Sequence, residues 1–225
     1  MADEDGVRHS HADEAQIVSD DLERAKKEAA NGLVQAARVR DLVMTAIERG
    51  SFRLRPSTIL ELNRCAIAGL DRHAGNWRPG GVRISKSEHE PPDGFHVASL
   101  IEDMCDYVNE NWGIRTPVHL ASFVMWRLNW IHPFTDGNGR TSRATSYLVL
   151  CAKANILFPG KETIPEQIVA NRRPYYDALE SADRKHRETD GFPPDVVDEM
   201  EGLMGRMLAR QLADLYGGAV GTPLV

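Results

Sequence analysis

The chain has 225 residues, enough for one domain with a sizeable core, and its 42% apolar and 27% charged residues are ordinary for a globular protein. A net charge of -6 at pH 7 argues against a protein that grips nucleic acid by neutralising many backbone phosphates. The three cysteines, Cys65, Cys105 and Cys151, stand singly without CxxC spacing, as reduced core thiols do. The longest apolar run, 147–152, falls far short of the roughly 20 residues that cross a bilayer, and the N-terminus lacks the layout of a signal peptide, so a cytoplasmic protein with no membrane contact is expected.

In chain order, residues 1–11 are polar and acidic and are expected to form a disordered tail, with His9 and His11 solvated rather than metal-bound. Residues 12–32 read as an N-terminal helix leading into the main domain, 33–215. The helical pattern of 12–49 is expected to break near Asn31-Gly32, and a second helix is expected over 56–71. Residues 75–95 contain four glycines and three prolines around an alternating patch at Val82 and Ile84, the pattern of a hairpin or flap on a helical body. Val97, Leu100, Ile101, Met104, Cys105 and Val108 then line one helix face.

Thr116-Pro117 reads as a cap followed by proline in the first turn, opening a helix through Leu120, Phe123, Val124, Leu128 and Ile131. It must stop at His132, because a residue before proline is pushed out of the helical region. A further helix is expected from Gly139 or Arg140 to about Asn155. A last one runs from Pro194 through Leu212 with its methionines facing the core, and a flexible tail follows at 216–225.

The twelve residues from His132 to Arg143, HPFTDGNGRTSR, combine a base, a carboxylate, two glycines, an amide and two guanidiniums. Pro133 ends one helix, and Gly137 and Gly139 let the backbone turn so that the amides of 137–140 converge where the next helix begins, which is an anion site. Arg140 and Arg143 lie on one face and can reach a common polyphosphate, and Asn138 can add a side-chain donor. Asp136 among these donors makes sense as a ligand for Mg²⁺ shared with phosphate oxygens. His132, ordinarily titrating near pH 6.5, is suited to take a proton from an attacking hydroxyl.

This run resembles the signature of Fic proteins, HPFx[D/E]GNGRxxR, with every fixed position present, and the helical pattern from about Leu33 to Leu208 is similar to the Fic helical domain. The resemblance implies a mainly α fold, a Fic-type helical bundle with a small β-hairpin flap. Val82, Arg83, Ile84 and Ser85, with His89 and Pro91-Pro92, resemble the strand pair bordering the active site, and Gly75-Asn76-Trp77-Arg78 resembles the element leading into it. The implied roles are His132 as general base, Asp136 as Mg²⁺ ligand, and the amides of Gly137 to Gly139 as an anion hole. Asn138, Arg140 and Arg143 would hold phosphates, with Pro133 and Phe134 anchoring the loop.

The implied activity is protein adenylyltransfer, with ATP as co-substrate and Mg²⁺ as cofactor. AMP would pass to a Ser, Thr or Tyr hydroxyl of a target protein held on the flap as an added strand. Gly139 favours nucleotidyl over phosphoryl transfer, since the phosphate-transferring relative Doc carries lysine there. The base is left open, because nothing in the twelve residues touches it. Removal of AMP, and a toxin-like nucleotide-binding module restrained by a partner as in toxin–antitoxin pairs, are the alternatives; a second copy of the chain is a further partner left open. Ala30 stands where the resemblance expects an inhibitory glutamate facing Arg143, with Lys26 at the preceding Ser/Thr position, so no intact internal brake is expected. Ser19 with Glu23, and Glu201 preceded by Val197, are imperfect alternatives, and an inhibitory partner protein is a third.

Overall fold

A computed structural model describes residues 8, 10–11, 16–160, 162–189 and 192–219. Eight α-helices are present among them, with almost no strand, so the fold is a mainly α bundle. In order these are α1 (Asp21–Arg49), α2 (Pro56–Ile67), α3 (Val97–Glu110), α4 (Pro117–Ile131), α5 (Asn138–Ala154), α6 (Ile164–Ala170), α7 (Arg173–Thr189) and α8 (Asp198–Ala219).

Helix α4 is the centre. Thr116 caps it by accepting from the His119 N–H at 3.0 Å, Pro117 opens it, and buried residues surround its axis from His119 to Leu128. A helix that is apolar on all sides must be enclosed, and α4 packs on α3, α5, α7 and α8. Its fully buried Phe123, Met125 and Trp126 stand at the middle of the core. Helix α5 lies beside α4 in the most extensive helix pairing, so the loop joining them, 132–137, is held between two rigid elements. Helices α1 and α2 cover the other side of α5.

Three expectations need correction. Helix α1 runs unbroken through Asn31-Gly32, because the Asn31 carboxamide donates to the carbonyls of Ala66 (3.3 Å) and Ala68 (3.0 Å) and ties α1 to the end of α2. The helix expected from residue 12 therefore starts only at Asp21, residues 16–20 being non-helical, and the expected boundary between residues 32 and 33 falls inside it. Helix α8 starts at Asp198 rather than Pro194 and continues to Ala219. The flap contributes one strand, β2 (Arg83–Ile84), and its antiparallel partner is β1 (Ser10–His11) from the N-terminal segment. The returning limb of the flap holds Pro91 and Pro92, which lack the N–H donors of a ladder. Most of the expected N-terminal tail, residues 1–7 and 9, and residues 220–225 of the C-terminal one lie outside the described residues.

Cys105 and Cys151 are buried and Cys65 is half-buried, all three as free thiols. Burial pushes Cys105 up to about 12, so it is an inert core residue. Among the described residues, no helix is long and apolar enough to cross a membrane.

Candidate active site

The loop between α4 and α5 is fixed at every step. Pro133 forces α4 to end, and His132 takes the left-handed conformation (φ 51, ψ 58), its N–H bonded to Leu128 O at 3.0 Å. A non-glycine residue there carries strain that surrounding structure must hold. Arg78 supplies the restraint: its backbone N–H donates to Pro133 O (2.9 Å), its Nε to His132 O (2.9 Å), and its two Nη atoms to the carbonyls of Gly80 (2.6 Å) and Pro92. One buried guanidinium thus ties the loop to both limbs of the flap.

Phe134 is buried against Trp77 with ring centroids 5.2 Å apart. Thr135 donates to Asp71 at 3.0 Å. Asn63, fully buried on α2, donates to Asp136 O (3.1 Å) and Thr141 Oγ1 (3.3 Å) and accepts from Gly75 N–H (3.0 Å).

Gly137 has φ 77 and opens α5 without a side-chain cap. A Cβ there would stand 2.7 Å from Ile67 and 3.2 Å from Asn63, so both conformation and space require glycine. The first turn of α5 starts at Gly137, a helix end of the kind that can receive an anion. Asn138 serves that turn differently from the expectation: its Oδ1 accepts from Phe134 N–H (2.9 Å) and its Nδ2 donates to Phe134 O (2.8 Å). The buried carboxamide shapes the loop rather than extending into the cleft. At Gly139 a Cβ would come within 3.1 Å of Arg143 Nη1, so glycine leaves room for that guanidinium.

His132 lines a cavity with Arg143, Gly139, Asn129, Ile84 and His89. Burial drives its imidazole down to about 3; the Asn129 carbonyl opposes that shift, while nearby His89 and Arg78 reinforce it. With Nδ1 3.3 Å from Asn129 O, the neutral ring keeps its proton on Nδ1 and its acceptor lone pair on Nε2. Burial also lowers the Arg143 pKa, offset in part by Tyr175.

Asp136 is held on both oxygens. Oδ1 accepts from Gly137 N–H (2.5 Å), Oδ2 from Arg24 (2.8 Å), and Arg140 spans both at 3.2 Å. Glu201, one alternative for a brake, is instead bound to His119 at 2.5 Å.

The cavity of His132 is also lined by Arg172, Tyr175, Tyr176 and Leu179, around the start of α7, none of them among the residues expected from sequence. Asn129 donates to both Tyr175 OH and Ser142 Oγ at 2.8 Å, locking this wall to α4 and α5. Arg8 lies over Tyr176, 4.2 Å from the ring centroid, and pairs with Glu180. The signal was present as an apolar period, Tyr175, Ala178, Leu179 and Ala182, beginning near Pro174.

Residues 53–150, which include the whole run from His132 to Arg143, match the model of the Fic/DOC family. The chain carries a Fic/DOC family domain. Over 116 residues it is 30% identical to the protein adenylyltransferase fic-1 of Caenorhabditis briggsae, an alignment covering 51% of this chain and 22% of that protein. With the protein adenylyltransferase Fic of Drosophila willistoni it shares 37% identity over 87 residues, 38% of this chain and 17% of the relative. The matched stretch thus spans about a fifth of these relatives.

In fold it is similar to a Fic domain containing signaling protein from Bacteroides thetaiotaomicron, with a TM-score of 0.70, 19% identity, and coverage of 93% of this chain and 78% of the other. A Fic-1 fragment from C. elegans gives a TM-score of 0.63 at 20% identity, covering 90% of this chain and 55% of the fragment. The Fic fold therefore extends over nearly the whole chain, beyond the residues the family model matches.

Proposed function

We propose that this Fic domain transfers AMP from ATP to a serine, threonine or tyrosine hydroxyl of a target protein. The observation that carries this reading is the buried imidazole of His132 sharing a cavity with Arg143 beside the start of α5, which has no side-chain cap. The relatives named protein adenylyltransferase support the choice of donor.

In this reading the first-turn amides of α5, with Arg140 and Arg143, receive phosphate oxygens. His132 Nε2 takes the proton of the attacking hydroxyl as its oxygen bonds to the α-phosphorus. The bond from the α-phosphorus to the bridging oxygen breaks, and pyrophosphate leaves with the electron pair. Tyr175 and Tyr176 offer aromatic surface for the nucleoside, and the flap edge from Val82 to Ser85 receives the target chain as an added strand.

The donor set at Asp136 fits Mg²⁺. Among the described residues no three His, Cys, Asp or Glu side chains cluster, so a hard ion would take the Asp136 carboxylate and complete its shell with phosphate oxygens and water. When bound, it would offset negative charge on those oxygens.

The test is incubation with lysate proteins, Mg²⁺ and ATP labelled on either the α- or the γ-phosphate. Transfer of α-label by the wild type and its loss in His132→Ala is the expected result. Transfer of γ-label would overturn the reading in favour of phosphoryl transfer, and absence of any His132-dependent label would overturn both.

A further inference from the structure

Part of the surface that substrates would use is occupied by the chain itself. Ser10 and His11 of β1 pair with Ile84 and Arg83 of the flap, and Ile84 lines the cavity of His132. Two residues before that ladder, Arg8 lines the same cavity. Its backbone N–H donates to Tyr176 OH at 3.2 Å, its guanidinium lies 4.2 Å from the Tyr176 ring centroid, and its Nη2 pairs with Glu180. With 16% of its side chain exposed, Arg8 is far more enclosed than arginines on a free surface.

The proposed function asks two things of these groups. The edge of β2 is to take a target chain as an added strand, and Tyr176 is to offer its ring to a nucleoside. The N-terminal segment meets both demands already. β1 supplies the backbone ladder that a target would supply, and the planar, delocalised guanidinium of Arg8 covers the ring that a base would cover.

Resting on that reading of the site, we propose that Arg8, Ser10 and His11 form a strap that fills the acceptor edge and the nucleoside surface together, a mimic of both substrates in one segment. Each substrate must displace its own end of the strap. The bonds suit a strap that opens. A two-residue ladder is marginal by itself, and the ion pair to Glu180, whose side chain is 47% exposed, is weakened by water. Arg8 and Ser10 are two positions apart, so freeing one end removes the restraint that keeps the other in place. The first substrate to bind therefore loosens the strap for the second, and by linkage this coupling is reciprocal.

The test compares wild type with Arg8→Ala/Ser10→Pro/His11→Pro in the full chain. Alanine removes the guanidinium, and proline at both ladder positions removes the N–H that faces the flap, whichever of the two supplies it. Binding of Mg²⁺ with α,β-methylene-ATP, whose α-phosphate cannot be transferred, is measured by calorimetry, beside passage of α-label from ATP to lysate proteins. The variant is expected to bind the analogue about fivefold or more tightly, the lower end of the usual range for coupled sites. In wild type the analogue is expected to speed amide exchange at Arg8, Ser10 and His11 and at residues 83–84, a measurement that needs no variant. Equal or weaker binding by the variant, or exchange at these residues that is unchanged or slowed, overturns the strap, whatever the labelling shows. Tighter binding by the variant with no label passed by either protein leaves the strap standing and overturns the transfer reaction instead.

Discussion

His132 combines a strained backbone with a protonation state set by burial. Its pKa, driven down to about 3, leaves the imidazole neutral throughout the physiological range, ready to accept a proton without first losing one. In single-turnover transfer at saturating nucleotide, the limb owed to His132 is expected near pH 3 rather than 6.5, so the rate should hold steady from pH 5 to 8. A fall centred near 6.5 would show that the ring titrates as if solvated. His132→Ala should lower transfer by about 10²-fold or more while ATP affinity, read by calorimetry, changes little.

Gly137 is the most constrained position of the loop. Gly137→Ala meets both φ 77 and a contact at 2.7 Å with Ile67. It should cost about 2–4 kcal/mol of stability, measured by urea unfolding. At residue scale the signature was legible from sequence because its chemistry is local: a helix stop, a turn and a helix start follow from Pro133, Gly137 and the spacing of Arg140 and Arg143. What sequence could not give was the use to which Asn138 is put. A carboxamide can face a ligand or its own backbone, and only the path of Phe134 decides.

Among the elements, the clearest readings were α3, α4 and α5. Each is long, strongly periodic, and bounded by a cap or proline that acts within a few residues. The short α6 and the polar α7 passed unnoticed, and α7 supplies the cavity wall of Tyr175 and Tyr176. Its apolar stripe is narrow among charged residues, so its helical nature rests on packing against α8 and α4 more than on composition. The break expected at Asn31-Gly32 failed for the same reason, since a bond from Asn31 to another helix outweighs a weak local preference.

The flap is coupled to the loop through Arg78. Arg78→Met retains much of the buried stem and removes the donors to His132, Gly80 and Pro92. Hydrogen exchange over residues 79–92 should rise, and kcat should fall about tenfold or more with nucleotide affinity held. Equal loss of affinity would mean that Arg78 acts on the phosphate cradle instead.

For the whole molecule, the buried groups set how stability depends on pH. His132 is held neutral, so below its unfolded pKa of 6.5 the unfolded chain binds a proton that the folded chain refuses until about 3. Its contribution is fully present above pH 6.5 and is lost as pH falls toward 3. Asp183, raised by burial and bonded to Trp126 Nε1 at 2.8 Å, acts with the opposite sign: its contribution is present below the ordinary carboxylate range and is lost as pH rises through its elevated value. His132→Asn should therefore flatten the rise in urea midpoint between pH 4.5 and 6.5, while a slope equal to that of wild type would assign the rise to other groups.

By itself the sequence determined the parts: a helical chain, a loop with a base, a carboxylate and two arginines in fixed order, and a flap rich in glycine and proline. These follow from interactions spanning a few residues, where spacing and residue type leave few choices. The tertiary structure decided the company those parts keep. It placed Tyr175 and Tyr176 in one cavity with His132, ran Arg78 from the loop to the flap, and laid Arg24 and Glu28 of α1 on Asp136 and Arg140. Such pairings join residues up to 112 positions apart, as Arg24 and Asp136 are, and arise because a helix with one apolar face must bury it wherever the bundle leaves room.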